Sequence, residues 1–369
     1  MGWGCGDLNS GYQLPELGGC LATLQPLLSD YFFIHIINTT VQSISMVSRK
    51  KTRLKEVKAI KIGKDMSVNT LVNGLGDCAF GAGRLATAVE IYEEMLKEET
   101  TKFLGISGAL VPAGMRNIIA QMIRERYVDV VVTTGANLVH DIIEALGDHH
   151  YKIGEADADD VLLREQGMER IYDVVVPEEA FARLEDFLRS IFDKLDSKSR
   201  DKGYTIRELT KVIGENLSDR DSILRSAVDS EVPIFCPAIA DSMIGLHAWI
   251  YKQMCPLKVD AFDDMKELIE IFCESPRTGA IILGGGVPKN FIFQTALIAP
   301  PRETGQEGFD YAIQITTDTP ENGGLSGATL EEAKSWGKIG AKAKAVTVYC
   351  DATIALPLII AAVRARRRQ

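Results

Sequence analysis

The residues best equipped for chemistry lie in SGATLEEAKSWGKI, residues 326–339. Lys338 follows Trp336 by two positions and Glu332 by six. A lysine in a partly apolar pocket has a lowered pKa and becomes a nucleophile toward imines. An indole beside an amine holds a cation by its ring face. The same residues also have a plainer reading. Thr329 and Glu332 have capping-box spacing, so Glu332 can simply close a helix start. Lys334, Lys338 and Lys342 recur at i, i+4, the pattern of a solvated helix face. Gly337 and Trp336 are odd choices for such a face. Both readings stand at this level.

A second constellation lies at the ends of apolar runs. Glycines or acids follow such runs at 105–108, 133–137, 237–241, 284–286 and 351–352. Glycines there let a cofactor's phosphates approach backbone N–H groups, and a helix N-terminus adds a favourable dipole. None of the five is a G-x-G-x-x-G. Asp241 and Asp351 can accept bonds from ribose hydroxyls or cap the helix that follows.

These residues can meet only if strands and helices alternate. Apolar spacing predicts helices over 84–99, 115–126, 138–146, 178–195, 205–216 and 263–273, with Thr205 capping the fifth. Short β-branched runs predict strands over 128–133, 232–235, 279–283, 311–317 and 346–349, and one that runs from Phe103 into Gly105. A last helix follows residue 352. The alternation implies an α/β fold: a Rossmann-like, mostly parallel sheet with helices on both faces, in one large domain over 46–369. The basic end, Arg364 to Arg368, reads as a solvated helix terminus where positive charge suits the dipole. Residues 1–45 differ from the rest, with no Lys or Arg before Arg49. They read as a loosely ordered extension, as a start assigned too early with Met46 as the first residue, or as an added strand and helix.

Composition narrows the function. The net charge of −10 disfavours general nucleic-acid binding, which rests on neutralising phosphates, and suits cationic partners such as polyamines or basic protein segments. Seven widely spaced cysteines without a C-x-x-C argue against a disulfide framework and a Cys-type zinc site. A reducing, cytoplasmic setting fits. No H-E-x-x-H occurs, and no metal is expected. The most apolar early run, YFFIHII at 31–37, is far short of the ~20 residues of a spanning helix, so neither a membrane anchor nor a secretory signal is expected.

IILGGGVPK at 281–289, EEAKSWGKI at 331–339, VYCDA at 348–352, VVVTTG at 130–135 and IYDVVVP at 171–177 together resemble the deoxyhypusine synthase family, over about residues 60–362. The resemblance implies an NAD-dependent transferase. Such an enzyme oxidises spermidine, captures the imine on a lysine, and passes the aminobutyl group to one lysine of the translation factor 5A precursor. Lys338 stands at the imine-forming position. Trp336, Glu332, Asn290, Gln294 and Gly323 fall at amine-binding positions. Thr134, Gly135, Asp241, Gly284, Gly285, Thr317, Asp351 and Ala352 fall at NAD-binding positions. A homotetramer with active sites at a dimer interface is implied as well.

Three departures bear on the substrate. Asn290 stands where the family usually has a histidine important to spermidine oxidation. Leu246 and Leu325 replace two aspartates, which leaves Glu332 as the main carboxylate near the amine unless Asp318 or Glu321 substitutes. The pattern is similar to a synthase-like branch for which another donor or a small-amine acceptor fits, giving homospermidine-type chemistry. A non-catalytic NAD-binding homologue is the third alternative.

Overall fold

Six of the apolar runs form one parallel sheet in the computed structural model, which describes residues 55–154, 158–195, 202–300 and 307–367. The strands are β1 Thr100–Ile106, β2 Val130–Thr133, β3 Ile234–Phe235, β4 Arg277–Leu283, β5 Phe309–Thr316 and β6 Ile339–Tyr349. Across the sheet they run β3-β2-β1-β4-β5-β6, all parallel. This is the doubly wound order, with its reversal between β1 and β4.

The helices around the sheet are α1 Val68–Leu75, α2 Phe80–Lys97, α3 Arg116–Arg124, α4 Gly135–Ala145, α5 Glu178–Lys194 and α6 Ile206–Glu215. They continue with α7 Ile223–Asp229, α8 Met243–Lys252, α9 Asp263–Glu274, α10 Gly286–Gln294, α11 Leu330–Ser335 and α12 Ala352–Arg367. Successive strand residues point to opposite faces, and both faces are buried. Leu104, Val131, Ile281 and Ile313 enter a core shared with α2, α3, α4 and α12. Their neighbours Phe103, Val130, Ala280 and Ala312 enter a second core under α9, α10 and α11. That double burial explains why the runs are continuously apolar rather than alternating.

Several expectations shift. β6 begins at Ile339, seven residues before the expected start, because 340–345 are glycine, alanine and lysine and carry no apolar run. Helices α8 and α10 were not expected from the periodicity. Two small sheets stand apart from the main one: an antiparallel set of Tyr151–Lys152, Met168–Ile171 and Val174–Pro177, and a parallel pair of Tyr204–Thr205 with Val259–Asp260. Thr205 caps α6 as expected, in a full capping box with Glu208.

The basic end is not a solvated terminus. Arg364 pairs with Glu125 at 2.8 Å and Arg366 with Glu93 at 2.9 Å, while Arg367 lies 5.0 Å from the Tyr127 ring centre. These arginines tie α12 back to α2 and to the end of α3, and Arg368 lies outside the described residues. Residues 1–45 also lie outside them. No helix among the described residues is long and apolar enough to cross a membrane. The five described cysteines are free.

One buried polar hub locks α4 in place. Asp141, fully buried, accepts from Arg116 Nε at 2.7 Å, Ser222 Oγ at 2.8 Å, and the Ile223 and Leu224 N–H groups at 2.9 Å. It therefore joins α3, α4 and the first turn of α7. In the last turn of α4, Glu144 bonds His150 Nδ1 at 2.8 Å, and His150 Nε2 meets His140 Nδ1 at 2.9 Å. Burial, and then the neighbouring His150, push the His140 pKa down to about 4.

The sign of the pH effect follows from that shift. Between pH ~6.5 and 4 the unfolded chain binds a proton that buried His140 refuses, so folding stability falls as pH falls through this window. The unfolding free energy of the wild type from urea titrations should drop relative to His140→Gln over that range, by up to ~3 kcal/mol. A pH-independent difference between the two would refute the assignment.

Candidate active site

All six strands are parallel, so their carboxyl ends share one edge. Thr134 and Gly135 follow β2, Asp241 follows β3, Gly284 and Gly285 follow β4, Thr317 follows β5, and Asp351 and Ala352 follow β6. The eight residues matched to NAD-binding positions therefore lie along one rim. The β1 end, with the turn at 105–108, belongs there too, although none of its residues was matched to an NAD-binding position. The Gly285 N–H donates to Ser107 Oγ at 3.1 Å, and the Ser107 hydroxyl donates to the Gly285 carbonyl. The two strand-end loops are thus joined at the reversal point of the sheet. A Cβ on Gly285 would stand 2.3 Å from Ser326 Cα, so only glycine lets the β5 loop lie this close. Thr134 caps α4 and donates to the Gly108 carbonyl at 3.2 Å, and Asn137 Oδ1 accepts the Leu110 N–H at 3.0 Å.

The two rim acids separate. Ser242, not Asp241, caps α8, accepting the Gly245 N–H at 3.3 Å. The Asp241 carboxylate is exposed and bonded to none of the described residues. Asp351 is used at the start of α12, where its Oδ1 accepts the Thr353 N–H at 2.7 Å.

Lys338 is placed by a helix end. α11 stops at Ser335, so Lys334, Lys338 and Lys342 do not share a helical face as their spacing suggested. The Gly337 N–H bonds the Lys334 carbonyl and the Lys338 N–H bonds the Ala333 carbonyl, both at 3.0 Å. Gly337 has φ +70°. These are the paired bonds and left-handed residue of a Schellman motif, which accounts for the glycine that fits no exposed helix. The chain turns there into β6, and Lys338 lies at the amino end of a strand rather than on the carboxyl rim. Thr329 caps α11, accepting the Glu332 N–H at 3.0 Å.

From that position Lys338 Nζ donates to Asn290 Oδ1 at 2.9 Å and stands 5.5 Å from the Trp336 ring centre. A cavity of about 140 Å³ joins Lys338, Trp336, Glu332, Asn290, Leu325 and Lys289. Gln294 Oε1 accepts from Asn290 Nδ2 at 3.4 Å without lining this cavity, and Gly323 lies exposed on the β5–α11 loop, also outside it. Among the described residues, Glu332 is the one carboxylate in the lining. Neither Asp318 nor Glu321 replaces the missing acids there. Asp318 accepts from Ser326 Oγ at 2.6 Å and Asn322 Nδ2 at 2.5 Å, which holds its carboxyl below the usual range. Glu321 is held low by its own backbone N–H and by Thr319.

Lys289 has a role that its place in the IILGGGVPK motif did not reveal. It is 5% exposed. Its Nζ donates to Gln314 Oε1 at 3.0 Å, to the Leu325 carbonyl at 3.1 Å and to the Ala328 carbonyl. Gln314 Nε2 in turn donates to the Gly284 and Ser326 carbonyls at 2.9 and 2.8 Å. The pair thus fastens α10, β5, the glycine turn and the loop before α11. Burial lowers the Lys289 pKa to about 8, with Glu332 opposing and Lys338 adding to the shift. The signal for its role was present only in combination: a lysine on a helix that follows a buried strand and a glycine turn.

Lys289→Met keeps the stem and removes the donors, leaving the buried Gln314 Oε1 and the part-buried Leu325 and Ala328 carbonyls without that partner. It should destabilise the fold by about 2–4 kcal/mol in urea titrations near pH 7. From pH ~8 to 10.5 folded Lys289 sheds its proton before the unfolded chain does, so wild-type stability should rise with pH relative to the variant. A difference that is flat across this range would refute the buried-ammonium assignment.

Comparison with known proteins agrees with this arrangement. The family model described as deoxyhypusine synthase matches residues 70–363. A curated protein of Methanosarcina thermophila named "Probable deoxyhypusine synthase" is 55% identical over 311 residues, covering 84% of this chain and 95% of that protein. "Probable deoxyhypusine synthase 1" of Methanosarcina acetivorans is 56% identical with the same coverage. A crystal structure assigned as a deoxyhypusine synthase, from Entamoeba histolytica, superposes with a TM-score of 0.56 at 22% identity, covering 84% of this chain and 97% of that one; it speaks for the fold. With four fifths of its length matched by the family model and by relatives above half identity, the chain belongs to the deoxyhypusine synthase family.

Proposed function

We propose that this protein transfers an aminobutyl group from spermidine to an amine acceptor through an imine on Lys338, using NAD. The observation that carries the reading is the half-buried Lys338 amine, held between the Asn290 amide and the Trp336 ring face over a cavity with a single carboxylate. NAD fits the carboxyl rim on two counts: the sheet reverses between the β1 and β4 loops, and the Asp241 carboxylate is left unused by the helix it precedes. Ser107, Thr134, Gly135, Asp241, Gly284, Gly285, Thr317, Asp351 and Ala352 would hold it. When bound, it would accept a hydride from the carbon beside the donor's secondary amine and return it to that carbon once the acceptor amine is attached there.

The chain's own residues then divide the remaining work. Trp336 and Glu332 receive the donor's ammonium, by ring face and by charge. Lys338, as the free amine, attacks the carbon of the oxidised donor's C=N bond. The C–N bond to 1,3-diaminopropane breaks, and that amine leaves carrying the two hydrogens given up by the Lys338 amino group. Asn290 accepts a hydrogen bond from Nζ and fixes its direction, but an amide cannot take up the proton as a histidine can. The acceptor amine displaces Lys338 by the same exchange in reverse.

By this reading the acceptor is a lysine of the translation factor 5A precursor, and the protein is a homotetramer. A second acceptor class, a small amine yielding a homospermidine-type product, is favoured by one observation: Leu325 lines the cavity and Glu332 is the one carboxylate among the described lining residues, which suits a smaller cationic load. We also propose residues 46–369 as the catalytic domain.

Borohydride added to protein, NAD and labelled spermidine should fix label on the peptide containing Lys338, and Lys338→Ala should abolish it. Full labelling of that variant would sink the mechanism. Supplying 5A precursor or putrescine as acceptor then tells the two classes apart. Asn290→His should speed spermidine oxidation by about tenfold or more, since imidazole takes up a proton near neutral pH; an unchanged rate would exclude Asn290 as the limiting departure.

A further inference from the structure

The cleft between α5 and α8 shares no lining residue with the amine cavity. It encloses about 100 Å³, roughly three waters' worth at ~30 Å³ each. His247 lines it, only 8% exposed, and its Nε2 is buried without a hydrogen-bond partner. An unpaired buried ring nitrogen costs about 1–3 kcal/mol, so a group that pairs with it gains correspondingly.

Charged groups of both signs line the same cleft. Glu185, Arg189 and Asp193 lie one turn apart along α5 and all line the cleft. That i, i+4 spacing normally joins such residues in ion pairs. Here, among the described residues, neither the Arg189 guanidinium nor the Glu185 carboxylate is paired. Asp193 accepts the Tyr251 hydroxyl across the cleft, and Phe192 supplies an apolar wall.

We propose that this cleft binds a small zwitterion, an α-amino acid of glycine, alanine or serine size. Its carboxylate is taken by Arg189 and the His247 Nε2–H, and its ammonium by Glu185 and Asp193. The chemistry excludes the simpler classes. A plain anion meets two carboxylates, and a plain amine leaves Arg189 and His247 unused. A metal ion is not favoured, because no group of three His, Cys, Asp or Glu among the described residues is placed to hold one. The volume excludes nucleotides and extended polyamines.

Titration calorimetry on the full chain tests this with glycine, L-alanine and L-serine as probes and acetate and methylamine as single-charge controls. At least one zwitterion should bind one per chain with a Kd of ~1 mM or tighter, and both controls at least about tenfold more weakly. Arg189→Gln, on the exposed rim, and His247→Phe should each weaken binding about tenfold or more with an unchanged circular dichroism spectrum. If His247→Phe fails to fold, Arg189→Gln alone decides. Lys338→Ala should leave the binding intact, which separates this cleft from the amine pocket. No heat from any probe means the cleft holds solvent only and overturns the proposal. So does equal binding of a control, or full affinity in Arg189→Gln.

Discussion

Every strand of the main sheet runs the same way, and the rest of the molecule follows from that. A parallel pair has no tight turn available, so each strand must return through a crossover packed on one face. The order β3-β2-β1-β4-β5-β6 sends the first crossovers one way from β1 and the later ones the other. Adjacent loops part where the direction changes, between β1 and β4. The chain places Ser107 and the 284–286 glycines at that parting. Strand-end segments spread from residue 107 to residue 352 thereby reach a single rim although they lie far apart in sequence.

The amine pocket depends on a different economy. It is bounded by a loop after β5, a helix after β4 and the amino end of β6, three segments with no ladder between them. Lys289 supplies the missing connection. One ammonium with three donors replaces three separate backbone contacts, and Gln314 extends the network to the glycine turn. Burying that charge is unfavourable, as its lowered pKa records, but removing it would strand the carbonyls that it holds. The same cation stands near Lys338 and Glu332, so the pocket carries its own positive charge before any amine arrives. A polycation therefore meets a weaker electrostatic welcome here than in a site lined by several acids.

How much of this was legible beforehand differs by element. The buried strands of β1, β2, β4 and β5 were plain, because residues buried on two faces must be continuously apolar. β6 was half-hidden, since its first seven residues carry lysines and alanines on a locally irregular register with β5. The spacing of Lys334, Lys338 and Lys342 misled because helical period is counted as though no residue interrupts it, and Gly337 does. The C-terminal arginines read as solvated because charge alone says nothing of the acids on α2 and near α3 that reach them.

What the sequence determined by itself was the layered α/β class, the glycine and acid punctuation of strand ends, and the association of Lys338 with Trp336 and Glu332. These are local properties, set by residue type and by spacing within one element. Tertiary structure alone decided the rest: that Asn290 is the group touching Lys338, that Asp241 is free while Asp351 is used, that Asp318 serves its own loop, and that Lys289 is a clamp. Each depends on which segments, tens of residues apart, come within ~3 Å of one another. Hydrogen bonds act only at such distances, and no periodicity within a segment encodes them.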